Sequence, residues 1–381
     1  KASEREEERG SRVDADCDPG AAAVKNDSER HDENGSWNGG RGVGKKTEPE
    51  VVIEPRGAEP EIRGERDNRK GGDHATARKH NRLDSAPVRI LLLENPRSGT
   101  ASRRKRAREL ESLLKAEGAR VTVESPASAE AMRERASRAR LGEHDVLMVS
   151  GGDGTLHAVV NGLVRVARGD RPALAVVPLG RGNDFAFEIG IRSGKDTLEA
   201  LAAGSRRLVD LGRTRAGVFL GIAGAGFDAK AARRAQDTAI LSGSLLYSYA
   251  VVRTVLDFRP LAARVRYEGG AYEGGLTFAA VGNTSRYGGG MRIAPEASID
   301  DGLLDLCLVR AISRTTLLRM FPTVFSGRHL AHASVSYVRT PWVEIATEES
   351  AEVFADGEFL QRTPVRIDVL PRELEFVAPP A

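Results

Sequence analysis

Apolar positions are sparse and without period over residues 1–85, where charge runs such as Glu4-Arg5-Glu6-Glu7-Glu8-Arg9 and the Gly/Asn/Ser-rich stretch 34–44 dominate. Such a segment buries too little surface to offset the entropy of ordering it, so 1–85 is expected to be a disordered tail. Val51-Val52-Ile53 is too short to change that expectation. From Val88 the pattern changes. Val88-Arg89-Ile90-Leu91-Leu92-Leu93 is a short apolar run ending at Asn95-Pro96, as a buried parallel strand would. Residues 103–117 follow with helical spacing (Ala107, Leu110, Leu113, Leu114) and stop at Gly118. Strands are then expected at 119–124, 145–149 and 172–177, and helices at 128–141, 156–166 and 196–203. Strand and helix alternate four times, the pattern of a parallel sheet with helices on both faces.

After about Arg207 the texture becomes short β-like runs separated by Gly-rich turns: 218–223, 263–267, 276–281, 304–309, 342–346 and 365–369, interrupted by one helical stretch over 239–258. This predicts a second, antiparallel β domain. The expected organisation is a tail over 1–85, an α/β nucleotide-binding domain over 86–208, and an antiparallel β-sandwich domain over 209–378.

Composition narrows the picture only a little. Apolar residues make up 40% of the 381 and charged residues 29%, which suits a globular protein carrying extra polar chain. The formal net charge of +3 is too small to imply a nucleic-acid partner, and none is expected. Cys17 and Cys307 have neither metal-ligand spacing nor a disulfide framework, so a reducing, cytoplasmic setting is expected. No run approaches the roughly 20 apolar residues of a spanning helix, and the start does not resemble a secretory signal.

Candidate chemistry lies in the loops that follow the strands, because these share the carboxyl edge where ligands bind in open α/β folds. They are Asn95-Pro96-Arg97-Ser98-Gly99, Ser125-Pro126, Gly151-Gly152-Asp153-Gly154-Thr155, and Pro178-Leu179-Gly180-Arg181-Gly182-Asn183-Asp184. Glycines at 151–155 let backbone N–H groups approach a phosphate, and the following helix aims its N-terminal dipole at the same place. Asp153 would repel bare phosphate, so its presence suggests a bridging Mg²⁺. The competing structural reading is a tight strand-to-helix turn with Asp as a cap. The spacing matches neither the P-loop nor the G-x-G-x-x-G fingerprint.

At this point the sequence resembles the diacylglycerol kinase catalytic-domain family, particularly its soluble bacterial lipid kinases. Asn95-Pro96-Arg97-Ser98-Gly99 is similar to the family's opening loop, 150–156 to its Gly-Gly-Asp-Gly-Thr signature, and 178–186 to its Pro-Leu-Gly-Thr-x-Asn-Asp-Phe-Ala segment. Tyr287-Gly288-Gly289-Gly290-Met291 with Ala294-Pro295, the stretch 298–305, and Asp356-Gly357-Glu358 also match, in order, across 88–377. The resemblance implies an ATP-dependent lipid kinase with Mg²⁺. Asn95, Pro96, Arg97, Ser98, Gly99, Ser125, Gly151, Gly152, Asp153, Gly154, Thr155, Leu156, His157 and Arg181 would hold the nucleotide. Asp153 would act on Mg²⁺, and Ser298, Asp301 and Leu303 would form a structural Mg²⁺ site, Ser298 and Leu303 through backbone oxygens. Glu358 would be the general base on the lipid hydroxyl, against the plain reading of an Asp-Gly hairpin followed by a solvated Glu.

Arg181 departs from the family's usual Thr and leaves the nucleotide contact there open between a phosphate partner and a solvated side chain. The apolar residues of 239–253 would line an acyl-chain cleft or pack as ordinary core. Arg233, Arg234, Arg253 and Arg259 would meet anionic headgroups or form a solvated face. The expected partners are a diacylglycerol-like lipid alcohol, the membrane surface as a peripheral contact, and a second copy in a homodimer. Two other functions remain in view: a NAD kinase-like enzyme, which shares 151–155, and a catalytically weak lipid-binding module, motivated by Arg181.

Overall fold

The computed structural model describes residues 86–96, 101–180, 182–237 and 244–380, with the backbone alone for 101–104, 106, 107, 235–237 and 244–248. The expected tail of 1–85 lies outside these residues, as do Arg97, Ser98, Gly99 and Arg181.

The first half alternates as its pattern predicts: β1 (Arg89–Glu94), α1 (Ala101–Ala116), β2 (Arg120–Glu124), α2 (Ala129–Ser137), β3 (Val146–Gly151), α3 (Asp153–Leu163), β4 (Ala173–Pro178), α4 (Asp184–Glu188) and α5 (Gly194–Ala202). The strands run parallel in the order β2-β1-β3-β4. Consecutive strand residues point to opposite faces, so the near-complete burial of Ile90, Leu91, Leu92 and Leu93 means that both faces are covered. Helices α1 and α5 pack as one pair and α2 and α3 as another. Gly118 ends α1 with φ 87°, and the Ser128 hydroxyl caps α2 by accepting from Ala131 N.

The second half holds β5 (Arg206–Arg213), β6 (Val218–Phe219), β7 (Ile222–Gly226), α6 (Phe227–Asp237), α7 (Ser244–Asp257), β8 (Leu261–Tyr267), β9 (Gly270–Gly282), β10 (Leu304–Arg310), α8 (Arg314–Met320), β11 (Val335–Thr340), β12 (Trp342–Thr347), β13 (Glu352–Ala355), β14 (Glu358–Arg362) and β15 (Val365–Val377). All strand pairs among β7–β14 are antiparallel. Strand β10 shows why its run reads as continuously apolar. Leu304, Leu306 and Leu308 face one core with Val343 and Ile367, while Cys307 and Val309 face another that includes Val251 and Leu317 from the helices. Strand β8 instead buries Ala263 and Val265 and exposes Arg264 and Arg266, a clean alternation with one solvated face.

Four differences from the sequence reading bear on the site. Helix α3 starts at Asp153 rather than Leu156, because Gly152 leaves the strand in extended conformation and caps it. Helix α4 immediately follows the 178–184 loop. The stretch 239–258 is α7 preceded by a separate, strongly polar α6, with 238–243 outside the described residues. The last strand also returns to the first half: β15 pairs with β12 at its start, with β5 along its length, and in parallel with β4 at Phe376.

Candidate functional site

The loops after β1, β3 and β4 meet at one edge. The Asn95 amide donates to Thr155 Oγ1 at 2.8 Å, and Asn95 N to Ser150 O at 3.0 Å, fastening the first loop to the start of α3. Leu179 N donates to Gly151 O at 2.8 Å. Glycine is required where the loops cross: a Cβ on Gly152 would lie 2.9 Å from Gly180 Cα, and one on Gly180 only 2.5 Å from Gly152 Cα. Ser125 is exposed at the end of β2, and Pro96 is exposed at the end of β1. Gly151, Gly152, Gly154, Thr155, Leu156 and His157 all fall within the junction or the first turns of α3, with Thr155 and Leu156 buried.

Asp153 stands at the first position of α3, and its Oδ2 accepts from Asn183 N at 2.7 Å. Asn183 reaches that position in the left-handed region, φ 57°. A Cβ on Gly182 would lie 3.0 Å from Asp153 Oδ2 and 3.2 Å from Asp184 Oδ2, so the two carboxylates flank one narrow gap. Burial and the neighbouring Asp184 push the Asp153 pKa up to about 6. Asp184 is raised by burial too, although it accepts from Gly289 N at 3.0 Å in the glycine turn of the second half.

The second half brings Glu358 to the same place. It stands at the start of β14 and is exposed, yet a Cβ on Gly154 would lie 3.0 Å from Glu358 Oε1. The walls around its carboxyl raise its pKa, His157 lowers it, and Asp356 raises it. Asp356 holds the turn in place. It sits at φ 53°, accepts from Gly221 N at 2.8 Å and Leu220 N at 3.0 Å, and meets His157 Nδ1 at 2.9 Å. On the other side of the ring, Asn161 Nδ2 lies 3.2 Å from His157 Nε2. The same amide nitrogen donates to His157 O at 3.0 Å and Val218 O at 2.9 Å, which ties α3 to β6 beside the ring. The sequence reading left Asp184, Asp356 and Asn161 without roles; the first two lay inside motifs already singled out.

Ser298, Asp301 and Leu303 share one turn before β10. Asp301 Oδ1 accepts from Leu303 N at 2.9 Å, Asp301 Oδ2 pairs with Arg339, and the Ser298 hydroxyl donates to Asp300 Oδ1 at 2.9 Å. Among the described residues no three His, Cys, Asp or Glu side chains form a ready-made metal cage, so a cation here would need backbone oxygens. Two cations already lie here, Arg207 on Asp300 and Arg339 on Asp301 and Asp305. Asp301 raises the pKa of both Asp210 and Asp305, and Asp305, pushed up to about 6 mainly by burial, keeps a buried Oδ2 without a hydrogen-bond partner.

The second half also contains an apolar pocket that opens to solvent and encloses about 30 Å³. Its walls include Phe227, Val251, Phe278, Met291, Leu317 and Phe321. Asp228 and Tyr287, hydrogen-bonded to each other, are its polar members. Of the expected apolar stretch 239–253, Val251 lines it. Arg233 is committed to Glu352 at 2.9 Å and stacks on Phe354 and Phe359, and Arg234 pairs with Asp257, so neither is an open headgroup contact. No helix among the described residues is long and apolar enough to cross a membrane.

Comparison with known proteins gives the family. Residues 89–214 match the family described as "Diacylglycerol kinase catalytic domain", and 221–378 match "YegS C-terminal NAD kinase beta sandwich-like domain". A diacylglycerol kinase of Mycobacterium tuberculosis (strain ATCC 25618 / H37Rv) is 33% identical over 299 residues, covering 76% of this chain and 95% of that protein. One of Bacillus subtilis (strain 168) is 27% identical over 300 residues, covering 76% and 96%. A crystal structure of a diacylglycerol kinase from Bacillus anthracis str. Sterne superposes with a TM-score of 0.61 at 20% identity, covering 78% of this chain and 99% of that one, which speaks to the fold. With a relative of this identity matched over nearly its whole length, the chain belongs to the diacylglycerol kinase family, which it shares with the YegS-like lipid kinases.

Proposed function

We propose that this chain transfers the γ-phosphate of ATP, with Mg²⁺, to a hydroxyl of a diacylglycerol-like lipid. The observation that carries this reading is Glu358, a carboxylate from the second half held against Gly154, the residue that follows Asp153 in the first turn of α3. The site's residues fit the nucleotide and its metal. Asp153 and Asp184 crowd two carboxylates around Gly182, and Ser150 Oγ and Asn183 Oδ1 are buried without partners at the same edge. A divalent cation bridging to phosphate would supply the charge neutralisation that phosphoryl transfer needs.

In this reading the backbone N–H groups at the start of α3 bind phosphate oxygens, and Asn95 and Thr155 hold the loops that shape the cradle. Glu358 accepts the proton of the lipid hydroxyl as that oxygen bonds to the γ-phosphorus and the bond to ADP breaks. Its raised pKa makes it a better proton acceptor than a free carboxylate. The apolar lining of the pocket, rather than the room it encloses, supports an acyl chain as the rest of the substrate. Asp301, with the carbonyl oxygens of Ser298 and Leu303, would hold a second, structural Mg²⁺, displacing Arg339. The division at 86–208 and 209–378 separates nucleotide from lipid, with the end of β15 completing the first half.

The test is radiolabelled phosphate transfer from Mg-ATP to a panel of lipid alcohols, with the wild type and Glu358→Gln. Transfer to one lipid that falls about a hundredfold or more in the variant is expected. Mg-ATP binding with no transfer to any lipid alcohol would count against the reading.

A further inference from the structure

The cavity walls and the outer surface next to them are built from the same short elements. Each of three wall residues has an exposed apolar companion: Val251 beside Val252, Leu317 beside Leu318, and Phe321 against Phe325, whose rings lie 5.8 Å apart. On α7, Tyr249, Val252 and Leu256 recur at the spacing of one helical stripe, opposite the buried Val251 and Val255. Leu256 is 61% exposed, a large apolar side chain left mostly in water.

The surrounding charge is mostly positive; the exposed Asp257 at the end of α7 is paired with Arg234. No Asp or Glu occurs between Asp305 and Glu344. The exposed Arg253, Arg259, Arg314, Arg319 and Arg328 have no carboxylate partner among the described residues. Several arginines elsewhere on this half are paired instead, Arg233, Arg264, Arg266 and Arg366 each with Glu or Asp, although the exposed Arg213, Arg292 and Arg310 have no carboxylate partner among the described residues either.

An apolar ridge rimmed by unpaired cations is the complement of an anionic lipid surface, with apolar tips in the headgroup–acyl boundary and guanidinium groups on lipid phosphates. It is a poor complement to itself, because a two-fold contact would set the same cations against one another. We propose that the face formed by α7, α8 and the 321–326 turn seats the protein on anionic bilayer and brings the cavity to its lipid. This rests on the lipid-kinase reading and names the surface through which it would operate.

The experiment is co-sedimentation of the full chain, without ATP, with vesicles of phosphatidylcholine alone or mixed with phosphatidylglycerol. Binding is expected with the anionic vesicles and should weaken as salt is raised. Two independent variants, Val252→Ser/Leu256→Ser/Leu318→Ser and Arg319→Gln/Arg328→Gln, should each lower partitioning by roughly tenfold or more, while Leu113→Ser on α1 should not. Unchanged partitioning of both variants, or no wild-type binding to either vesicle, would overturn the proposal. So would variants that keep vesicle binding but change the oligomeric state, which would make the ridge a protein interface. Phosphorylation of a short-chain, water-soluble diacylglycerol keeps the two readings apart. Ridge-dependent vesicle binding without any lipid phosphorylation would sink the kinase reading alone, and normal phosphorylation with ridge-independent vesicle binding would sink the ridge alone.

Discussion

Asp153 is held where its charge is unwelcome. Its folded pKa of about 6 stands above the ordinary 3.8, so ionising it costs the folded chain more than the unfolded one. For a carboxyl raised in this way the contribution to stability is present at low pH and is lost as pH rises from about 4 to 6. Asp153→Asn should therefore stabilise the metal-free protein at pH 7 by on the order of 1–3 kcal/mol, read as a rise of several degrees in melting temperature. Phosphate transfer should be lost in the same variant, since the amide cannot bridge to Mg²⁺. A variant that melts lower than the wild type at pH 7 would mean that Asp153 is satisfied rather than strained. In the proposed reaction His157 would act at one remove, as a positioning residue: it touches Asp356, and Asp356 fixes the turn that carries Glu358. His157→Ala should lower kcat by roughly ten- to a hundredfold through misplacement of the base, with little change in the KM for ATP. His157→Asn, which keeps a donor for Asp356, should restore part of kcat. Loss of KM and kcat together, without rescue, would mark a merely structural histidine.

Two glycines of α3 look alike in sequence and differ in what surrounds them. A Cβ at Gly154 meets only the movable end of Glu358, at 3.0 Å, whereas one at Gly162 would lie 2.1 Å from Arg133 O in α2. Gly154→Ala should gain up to about 1 kcal/mol of helix propensity while pushing Glu358 aside and slowing transfer. Gly162→Ala should force α2 and α3 apart and lower the melting temperature without a selective effect on turnover. Thermal melts alongside initial rates separate the two outcomes, and equal behaviour of the pair would remove Glu358 from the start of α3. The contrast also marks how far the sequence could be read. Strands β1, β3 and β4 were legible because burial on both faces writes an unbroken apolar run, and β8 because one solvated face writes an alternation. Helix α6 was not, since Lys230, Arg233 and Arg234 mask its apolar stripe of Phe227 and Ala231, and α8 is only seven residues long. The glycine-rich loops were legible as parts of one edge, and they do meet after β1, β3 and β4. The roles of Asp184 and Asp356 were hidden because their partners, Gly289 and His157, lie 105 and 199 residues away in the chain.

The two halves are fastened by more than the contacts at the cleft. Strand β15 sets Val365 and Ile367 into the core of the β domain and, further along, Leu374, Phe376 and Val377 into the core of the parallel sheet. Phe376 is fully buried, pairs with Leu174 of β4, and packs its ring 4.9 Å from that of Phe185 in α4, just beyond Asp184. A residue near the C-terminus thus supports the helix that presents a carboxylate to the candidate site. Long-range closure of this kind makes the halves depend on one another, so the described body should unfold in one cooperative step although two family domains match it. Phe376→Ala removes a buried ring that cannot be replaced by collapse of a rigid sheet, at a cost of about 3–5 kcal/mol. If the halves are one cooperative unit, scanning calorimetry should show a single transition, moved down as a whole in the variant. Near-UV circular dichroism and protection of β10 amides from hydrogen exchange, both reporting largely on the β domain, should fall with it. Two resolved transitions, with only one moved by Phe376→Ala, would mean that β15 bridges two independently stable bodies and that the alignment of Glu358 with Asp153 is set by the cleft contacts alone.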